Sequence, residues 1–566
     1  MKRNRLLLMT VFCVLVVVSS GVYAQKESKA YMHRDVPGDP WLPNAHQNKK
    51  TGPAYMVRSS GFFSTQVNVD EFGANIYDDA ANEPSIAIDP LNPDRMVIGW
   101  RQFDNKSSNF RQAGHAYTTD GGETRTFPGS INPGIFRSDP VLDVDADGNF
   151  YYNSLSVDNQ SNYWCDVFKS NEGGSSWDEG TYAQGGDKQW MVIDRTGGIG
   201  DGNIYSFWTA YWSICYPQSF TRSIDAGASY EECVEVPGSP YWGTMAVGPD
   251  GELYIVGSGQ FGSLTVTKSS TAQNPVFPVS WSFTTQAYVD GELQGWTSVN
   301  PAGLQGQANI CVDNSGGPGN GYVYVLASVQ RLSNGDPADV MFARSTNGGQ
   351  TWDPPVRVND DIGNTRYQWF GTMSVAPGGR IDVIWLDTRD ALPGAYNSSL
   401  YYSFSFDHGQ TWSVNERLSE AFDPHIGWPN QEKLGDYFDM KSDNQSAHLA
   451  WAGTFNGEQD VYYGRITPTI TATHQKPQMV TRPAISCSPN PFSGQATLVY
   501  YVPISAETEI ALFDVFGKKI RVLVNGNHQA GSYTLPFNDA ILTGGMYVCK
   551  ITTNGASATT SLVHLK

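Results

Sequence analysis

A short polar turn occurs twice in nearly identical form, as Ser345-Thr346-Asn347-Gly348-Gly349-Gln350-Thr351-Trp352 and as Ser405-Phe406-Asp407-His408-Gly409-Gln410-Thr411-Trp412. In this pattern the Asp or Asn side chain is expected to bond back to the turn amides, while Gly supplies a positive φ and the aromatic ring packs beneath. Looser copies begin at Thr118, Ser170 and Ser223. Five copies of one turn predict a repeated β architecture.

The repeat is delimited by pairs of apolar strands joined by a Gly, Asp, Asn or Pro turn. Seven pairs occur, at residues 84–100, 139–155, 188–208, 242–256, 307–327, 370–385 and 434–451. Their starts lie about 50 to 65 residues apart, which suits the four-stranded blades of a β-propeller. The last repeat lacks room for a fourth strand, and residues 66–70 resemble an outer strand. If they complete that blade, the ring closes without a free edge, so we expect seven blades, with six as the alternative.

Composition supports an all-β protein of more than one domain. The 566 residues include 58 Gly, 32 Pro, 29 Tyr and 16 Trp, and only 16% are charged. Such usage, without a long amphipathic helical period, is typical of strands and turns. The net charge of −19 argues against nucleic acid and anionic membranes as partners.

The N-terminus has the features of a signal peptide over residues 1–24. A basic stretch, residues 2–5, precedes an apolar core, residues 6–18, and a small-residue cleavage site ends at Ala24. The apolar core is too short to span a membrane stably, and no second apolar run follows, so no transmembrane segment is expected in the mature form. Residues 25–60 would be an N-terminal extension, and residues 61–467 the propeller.

A second domain is expected at the C-terminus. Residues 468–483 are rich in Thr, Pro, Gln and Lys and indicate an exposed linker. Residues 484–566 contain Ser488-Pro489-Asn490-Pro491-Phe492, Asp514-Val515-Phe516-Gly517 and Gly544-Gly545-Met546-Tyr547-Val548. This stretch resembles the type A C-terminal sorting domain of the Bacteroidetes type IX secretion system. The resemblance implies a small Ig-like β-sandwich, contact with that secretion machinery, and a secreted or surface-attached protein; an ordinary Ig-like adhesion module is the alternative.

Two pairs of cysteines are candidates for disulfides, and one acidic turn is a candidate for a metal site. Export permits disulfides, for which Cys215 with Cys233, and Cys487 with Cys549, are the candidate pairs. Residues 143–148 resemble the start of a calcium loop, but position twelve is Ser154 instead of Glu, which indicates a strand-connecting turn. We therefore expect neither a metal site nor a cofactor.

Candidate functional residues concentrate in the loops before the first strand and after the second strand of each repeat, which share one face of a propeller. They are Glu83, Arg101, Asp104, Arg137, Trp190, Trp369, Asp387, Arg389 and Tyr437. Carboxylates, guanidinium groups and aromatic rings around a shallow central pit would suit a sugar. The alternative is that Asp and Arg pair across neighbouring blades and only stabilise the ring.

The five turns resemble those of the sialidase-like Asp-box (BNR-repeat) superfamily. Its sialidases use three arginines for the substrate carboxylate, a Tyr/Glu nucleophile pair and an Asp acid/base. By this resemblance Asp104 would be the acid/base, Arg137 and Arg389 two of the arginines, and Tyr437 a nucleophile. The first arginine is absent, because Glu83 follows Asn82 where that arginine would stand. Sialidase activity is therefore not expected.

Two functions follow as hypotheses. The first is a secreted or cell-surface propeller that binds a glycan or a surface protein through its central face, with Arg101, Trp190 and Trp369 among the contacts. The second is a glycoside hydrolase or lyase that uses Glu83, Asp104 and Asp387 as acid and base. A carboxylate pair about 5 to 10 Å apart would favour the enzyme. Carboxylates that are each paired with Arg would favour the binding protein.

Overall fold

The computed structural model describes residues 39–43, 49–468, 483–503, 505–529, 531–538 and 542–565. The predicted signal peptide, most of the N-terminal extension and most of the linker lie outside these ranges. The described residues form strands, turns and loops, and none of them is helical. No span of this part of the chain qualifies as a membrane-crossing helix. The chain divides into two compact units, Met1–Thr469 and Ile470–Lys566.

Seven antiparallel sheets of three to five strands make up most of the described part of the first unit. Sheet 1 contains Ala80–Ile88, Met96–Phe103, Gln112–Thr118 and Ser130–Ile131; sheet 2 contains Ser138–Val144, Phe150–Val157, Tyr163–Ser170 and Thr181–Tyr182; sheet 3 contains Trp190–Ile193, Ile204–Phe207 and Phe220–Ser223. Sheet 4 contains Met245–Val247, Leu253–Ser258, Ser263–Ser269 and Phe283–Tyr288. In all four sheets, strands adjacent in sequence are hydrogen-bonded neighbours.

The remaining sheets follow the same order. Sheet 5 contains Asn309–Val312, Val323–Arg331, Asp339–Ser345 and Val356–Arg357, with Gly291–Glu292 beside the second strand; sheet 6 contains Gln368–Val375, Ile381–Asp387, Ser399–Ser405 and Glu416–Arg417. Sheet 7 contains Asp439–Ser442, Ala447–Gly453, Asp460–Ile466, Phe62–Gln66 and Met56–Arg58. Two small hairpin-like pairs are Thr51–Gly52 with Asn75–Ile76 and Gly295–Thr297 with Asn300–Leu304.

Sheet 7 joins the two ends of the first unit. Phe62–Gln66 pairs antiparallel with Asp460–Ile466, in a register from Phe62 opposite Ile466 to Gln66 opposite Tyr462. This strand begins four residues before the predicted stretch 66–70. Phe62 and Phe63 are both buried and pack in different apolar clusters, so apolar contacts on both faces fix the strand there.

Contacts between the sheets follow a cyclic order. The first strand of each sheet packs against the first strand of the next, and strands of sheet 7 pack against Ala80–Ile88 of sheet 1. Side chains on these strands fill the apolar clusters between successive sheets. Every sheet in this series therefore has two neighbouring sheets.

We call the five copies of the short polar turn, which begin at Thr118, Ser170, Ser223, Ser345 and Ser405, the Ser-x-Asp turns. Each of them packs against the sheet that precedes its own. In the turn after Ser399–Ser405, the Gly409 amide donates to Ser405 Oγ at 2.9 Å and the Thr411 amide to Asp407 Oδ1 at 2.9 Å. Gly409 has a φ of 78°, and a Cβ there would overlap the Phe342 ring of sheet 5. Glycines of the other four turns lie against Tyr463, Val97, Tyr151 and Tyr254 of the preceding sheets. The positive φ and the close approach of the preceding sheet therefore explain why Gly is required at this position of the turn.

The second unit contains two further sheets. One is formed by Ala484–Ser488, Gln495–Val502 and Gly531–Asn538, and the other by Lys519–His528, Ala506–Asp514, Gly545–Thr553 and Ala556–His564. Leu498, Ile510, Ile551 and Leu562 from the two sheets are completely buried in one core.

The candidate disulfides have different outcomes. Cys215 and Cys233 of the first unit are bonded, with a Cα–Cα distance of 6.1 Å. Cys487 and Cys549 of the second unit are free thiols, contrary to the suggested pairing. Cys549 is buried in the core, whereas the half-buried Cys487 directs its Sγ to the Pro489 carbonyl oxygen at 3.8 Å.

Candidate functional site

A left-handed residue stands at or just before the first strand of every sheet in the first unit. These residues are Glu83 (φ 51°), Asp139 (47°), Lys188 (58°), Trp242 (55°), Gly306 (129°), Phe370 (57°) and Gly435 (110°). Five of the seven carry a side chain, for which this conformation costs about 1 kcal/mol or more. The repeated cost is sustained because the conformation brings these segments together where the seven first strands meet.

Seven charged side chains form a buried cluster there, which we call the hub: Glu83, Arg101, Asp139, Asp187, Lys188, Lys433 and Asp436. Each is at most 3% exposed. Glu83 lies 3.1 Å from Arg101 Nε and 3.0 Å from Lys433 Nζ. Since each carboxylate oxygen of Glu83 faces a cation, this residue is held in an internal ion pair.

The hub links sheets that are not neighbours. Lys188 Nζ, before sheet 3, lies 3.0 Å from Asp139 and 3.1 Å from Asp436, which precedes sheet 7. Lys433 Nζ contacts the same Asp436 oxygen at 2.6 Å. Sheets 3 and 7 are separated by sheets 1 and 2 on one side and by sheets 4, 5 and 6 on the other. The Lys188–Asp436 pair therefore spans the middle of the unit.

The expected central pit is filled by protein. The Tyr437 hydroxyl donates to the Pro140 carbonyl at 2.9 Å, and its ring meets Trp190 edge to face at 5.6 Å between centroids. Phe370 and Phe438 line the remaining gap, which is too narrow for a water molecule. Buried and hydrogen-bonded, Tyr437 is not placed to attack a substrate, and its burial raises the pKa of its hydroxyl well above the usual value.

A hairpin between sheets 4 and 5 covers the hub. Asn300 Nδ2 donates to the Gly435 carbonyl at 2.8 Å, and the Leu304 amide donates to Asp436 Oδ1 at 2.8 Å. The Leu434 amide returns a bond to Asn300 Oδ1 at 3.0 Å. Sequence reasoning missed Asn300 and Lys433, because no local pattern links residues so far apart in the chain.

Burial dominates the chemistry of Glu83. It raises the pKa of Glu83, while Arg101 and Lys433 lower it and favour the ionised form. The side chain is 0% exposed and is surrounded by hub residues. Glu83 therefore stabilises the hub and has no contact with the surface at which a substrate would arrive.

Asp387 accepts a hydrogen bond from a buried indole, and a similar bond occurs in sheet 1. It accepts from Trp385 Nε1 at 2.8 Å and pairs with Arg389 at 2.8 Å. Burial raises the pKa of Asp387, and the bond to Arg389 opposes that shift. In sheet 1 the buried Trp100 Nε1 donates to Gln102 Oε1 at 2.7 Å in the corresponding place. At that place in sheet 1 an amide oxygen therefore accepts from the indole as the Asp387 carboxylate does in sheet 6.

The other predicted residues lie apart from the hub, each with its own partner. Asp104 is half-buried and accepts from Gln112 Nε2 at 2.7 Å. Arg137 is 5% exposed and lies 2.5 Å from Asp166. Trp369 is fully buried and donates to Ser398 Oγ at 3.1 Å. Of the nine residues, Glu83 and Arg101 belong to the hub, Trp190 and Tyr437 pack against each other beside it, and Asp387 pairs with Arg389.

An exposed apolar surface lies on the same face, between sheets 4 and 5. Phe261 is 75%, Tyr288 46% and Leu332 55% exposed, and we call these three side chains the aromatic platform. Gly262 lies between the Tyr288 and Leu332 side chains. The Val289 amide donates to the Gly262 carbonyl at 2.8 Å, so backbone bonds hold the platform together. No sequence pattern indicated it, because its members come from two loops and the end of a strand.

Polar groups border the platform. Asp290 accepts from the Tyr288 hydroxyl at 3.1 Å and from Ser333 Oγ at 2.6 Å, and it pairs with Arg331 at 2.6 Å. Rigid aromatic rings beside ordered carboxylate, guanidinium and hydroxyl groups form a surface that is both apolar and hydrogen-bonding.

The described residues show no metal-binding arrangement. Among them, no group of three or more His, Cys, Asp or Glu is placed to hold a metal ion. At the stretch that resembled a calcium loop, Asp145 Oδ1 accepts from the amides of Asp147 at 3.0 Å and Asn149 at 2.9 Å. Asp145 therefore closes the predicted strand-connecting turn.

Residues 487–564 match a family described as the secretion system C-terminal sorting domain. The second unit is a type IX secretion sorting domain. This sorting domain directs the protein out of the cell, to the extracellular space or the outer surface. No curated protein matches the chain in sequence.

Several solved structures resemble the chain at low identity. A protein of unknown function from Dyadobacter fermentans is 12% identical, with a TM-score of 0.41 over 73% of this chain and 99% of that chain. The endosialidase of phage phi92 is 9% identical, with a TM-score of 0.39 over 77% and 75%. A Trypanosoma rangeli sialidase in complex with the inhibitor DANA is 11% identical, with a TM-score of 0.34 over 90% and 89%. Scores this low assign no activity to this chain.

Proposed function

We propose that the seven sheets are the blades of an exported β-propeller, which binds neutral glycans at the aromatic platform and does not cleave them. The observation that carries the proposal is the closed hub. Glu83 and Asp387 are each paired with a cation, and Tyr437 is buried. This pairing favours binding over acid/base chemistry, because a glycosidase needs two carboxyl groups facing a substrate.

The platform has the chemistry of a sugar-binding surface. The C–H face of a sugar ring is apolar and packs on an aromatic ring, whose face carries partial negative charge. Phe261 and Tyr288 provide such rings, while Asp290, Arg331 and Ser333 lie where hydroxyl groups would need partners. The Tyr288 hydroxyl is already bonded to Asp290, so this ring would lose little conformational entropy on binding.

The charge of the protein favours neutral over acidic glycans. The chain carries a net charge of −19. Uronic, sialic or sulfated sugars would approach a negative surface, and the resulting repulsion disfavours their association. A neutral polysaccharide or a neutral glycan of a surface glycoprotein avoids this cost.

A binding assay with matched variants tests the proposal. The purified full-length protein would be measured against neutral and acidic oligosaccharides beside Phe261→Ala and Tyr288→Ala. The control is Phe277→Ala, which is 59% exposed and lies in the loop between the third and fourth strands of sheet 4, at the opposite end of those strands. Each platform variant should weaken binding to neutral glycans about fivefold, in line with about 1 kcal/mol per aromatic contact.

The same samples test cleavage. Release of new reducing ends or unsaturated products would refute the absence of catalysis. Equal affinity of the platform variants and the parent protein would refute the platform as the binding site. Preferential binding of acidic glycans would contradict the charge argument.

A further inference from the structure

The sorting domain has an apolar surface that its own core does not use. Its four-stranded sheet buries one face, on which Ile510, Leu512, Cys549 and Leu562 are at most 1% exposed. Side chains along a strand alternate between the two faces of a sheet. The residues between these buried ones therefore form a second, outward face.

One end of this outward face is apolar across three strands, whereas Glu509 and Lys550 lie on it further along. Met546 and Val548 alternate with the buried Tyr547 and Cys549, and they stand opposite Val563 and Phe513 in the neighbouring strands. Met546 is 55% exposed. Sheets that face water on one side normally carry polar residues there, so apolar residues on both faces indicate a missing partner.

The adjoining turn and edge strand extend the same surface. Phe516, in the turn after Ala506–Asp514, is 92% exposed and Val515 is 58% exposed. In strand Lys519–His528, Ile520 is 44% and Val522 42% exposed. Within the described residues this strand pairs on one side only, which leaves its other edge open. We call Val515, Phe516, Ile520, Val522 and Met546 the sorting patch.

The charge around the patch differs from that of the whole chain. Lys518, Lys519 and Arg521 lie beside Phe516, and Lys550 follows on the strand of Met546. Residues 483–566 contain five Lys and Arg against four Asp and Glu, in a chain of net charge −19. A basic border would repel the same border of a second copy and attract an acidic partner.

We propose that the sorting patch is the surface by which the sorting domain binds a protein of the secretion machinery, one with an apolar site bordered by acidic side chains. This inference is independent of the glycan proposal. Phe516 is the expected anchor, because a large aromatic residue exposed at a turn tip can enter a pocket on the partner. The open edge strand can add main-chain hydrogen bonds to the same partner.

Export of the full-length chain tests the proposal. Phe516→Ser would be produced in a bacterium that carries a type IX secretion system, beside Phe72→Ser as the matched control, since Phe72 lies in the first unit and is 86% exposed. The fraction of chain reaching the cell surface and medium should fall about tenfold for Phe516→Ser, as for loss of an interface anchor, and stay unchanged for Phe72→Ser. Equal export of both variants would overturn the proposal.

Two further measurements separate binding from folding. Purified Phe516→Ser should have the same Tm as the parent, since the side chain is 92% exposed. A variant that stays inside the cell and also has a lowered Tm would overturn the proposal. A photo-crosslinking residue in place of Phe516 should join the chain to an envelope protein of the secretion system, and one in place of Phe72 should not. Crosslinking only to a second copy of the chain, or to lipid, would also overturn it.

Discussion

Acidification should destabilise the first unit through His115. This side chain lies on strand Gln112–Thr118 and is 4% exposed. Its Nε2 is 3.1 Å from the Gly174 carbonyl oxygen, and its ring meets Trp177 edge to face at 5.5 Å. Gly174 and Trp177 belong to the Ser-x-Asp turn of sheet 2, so His115 connects sheet 1 to that turn. Burial lowers the pKa of His115 to about 4.

The magnitude follows from proton linkage. An unfolded His has a pKa of about 6.5, so between about pH 6.5 and 4 the unfolded chain binds the proton more readily than the folded chain. The stability due to neutral His115 is therefore complete above pH 6.5 and is lost as the pH falls towards 4. At pH 5 the loss is about 2 kcal/mol, and at pH 4 about 3 kcal/mol.

Urea unfolding at several pH values measures this loss. All 16 Trp lie between residues 41 and 451, so their fluorescence reports on the first unit alone. The His115→Gln variant keeps an N–H donor for the Gly174 carbonyl but does not titrate. Between pH 7.5 and 5 the parent should lose about 2 kcal/mol more than the variant, since carboxylates contribute equally to both. Parallel pH profiles would refute the assignment.

Three other changes test the structural roles assigned above. Asp387→Asn should lower the free energy of unfolding by less than about 1 kcal/mol, because an amide oxygen can accept from the buried indole. Asp387→Leu should lower it by about 2 to 3 kcal/mol in urea unfolding. Equal losses would contradict a hydrogen-bonding role. Lys188→Met should destabilise the first unit by about 3 to 5 kcal/mol, since it leaves buried carboxylates without their cation, and an unchanged urea midpoint would exclude the hub as a stabilising cluster. Replacing both Cys215 and Cys233 by Ser removes a crosslink between residues 18 apart in sequence and should lower the free energy of unfolding by about 3 kcal/mol. The variant and the reduced parent should both unfold at a lower temperature than the oxidised parent; the same Tm for all three would contradict this.

Local patterns predicted the repeated elements well. The Ser-x-Asp turns have the expected hydrogen bonds because all their donors and acceptors lie within a few residues, as Ser405 and Asp407 show. The strand that completes sheet 7 was expected at residues 66–70 and lies at Phe62–Gln66. Pairing of a strand with both faces buried depends on distant apolar contacts, and these moved the strand by four residues.

The candidate site was predicted less well. The sequence placed charged residues in the correct set of loops, yet it gave no means to decide whether they face a ligand or each other. Glu83 is paired with Arg101 and with Lys433, and the second of these residues has no sequence signal. The aromatic platform was not predicted, because one exposed Phe in a loop and one exposed Tyr at the end of a distant strand leave no periodic pattern.

The sequence by itself determined the all-β class, the repeated turns and the sorting domain, because turn chemistry and strand alternation act over a few residues. The tertiary structure alone decided that the centre is closed. Lys188 and Asp436 meet at 3.1 Å although they belong to sheets that are not neighbours. Such long-range ion pairs depend on how the seven sheets pack together, and burial then determines whether a charged residue stabilises the protein or meets a ligand.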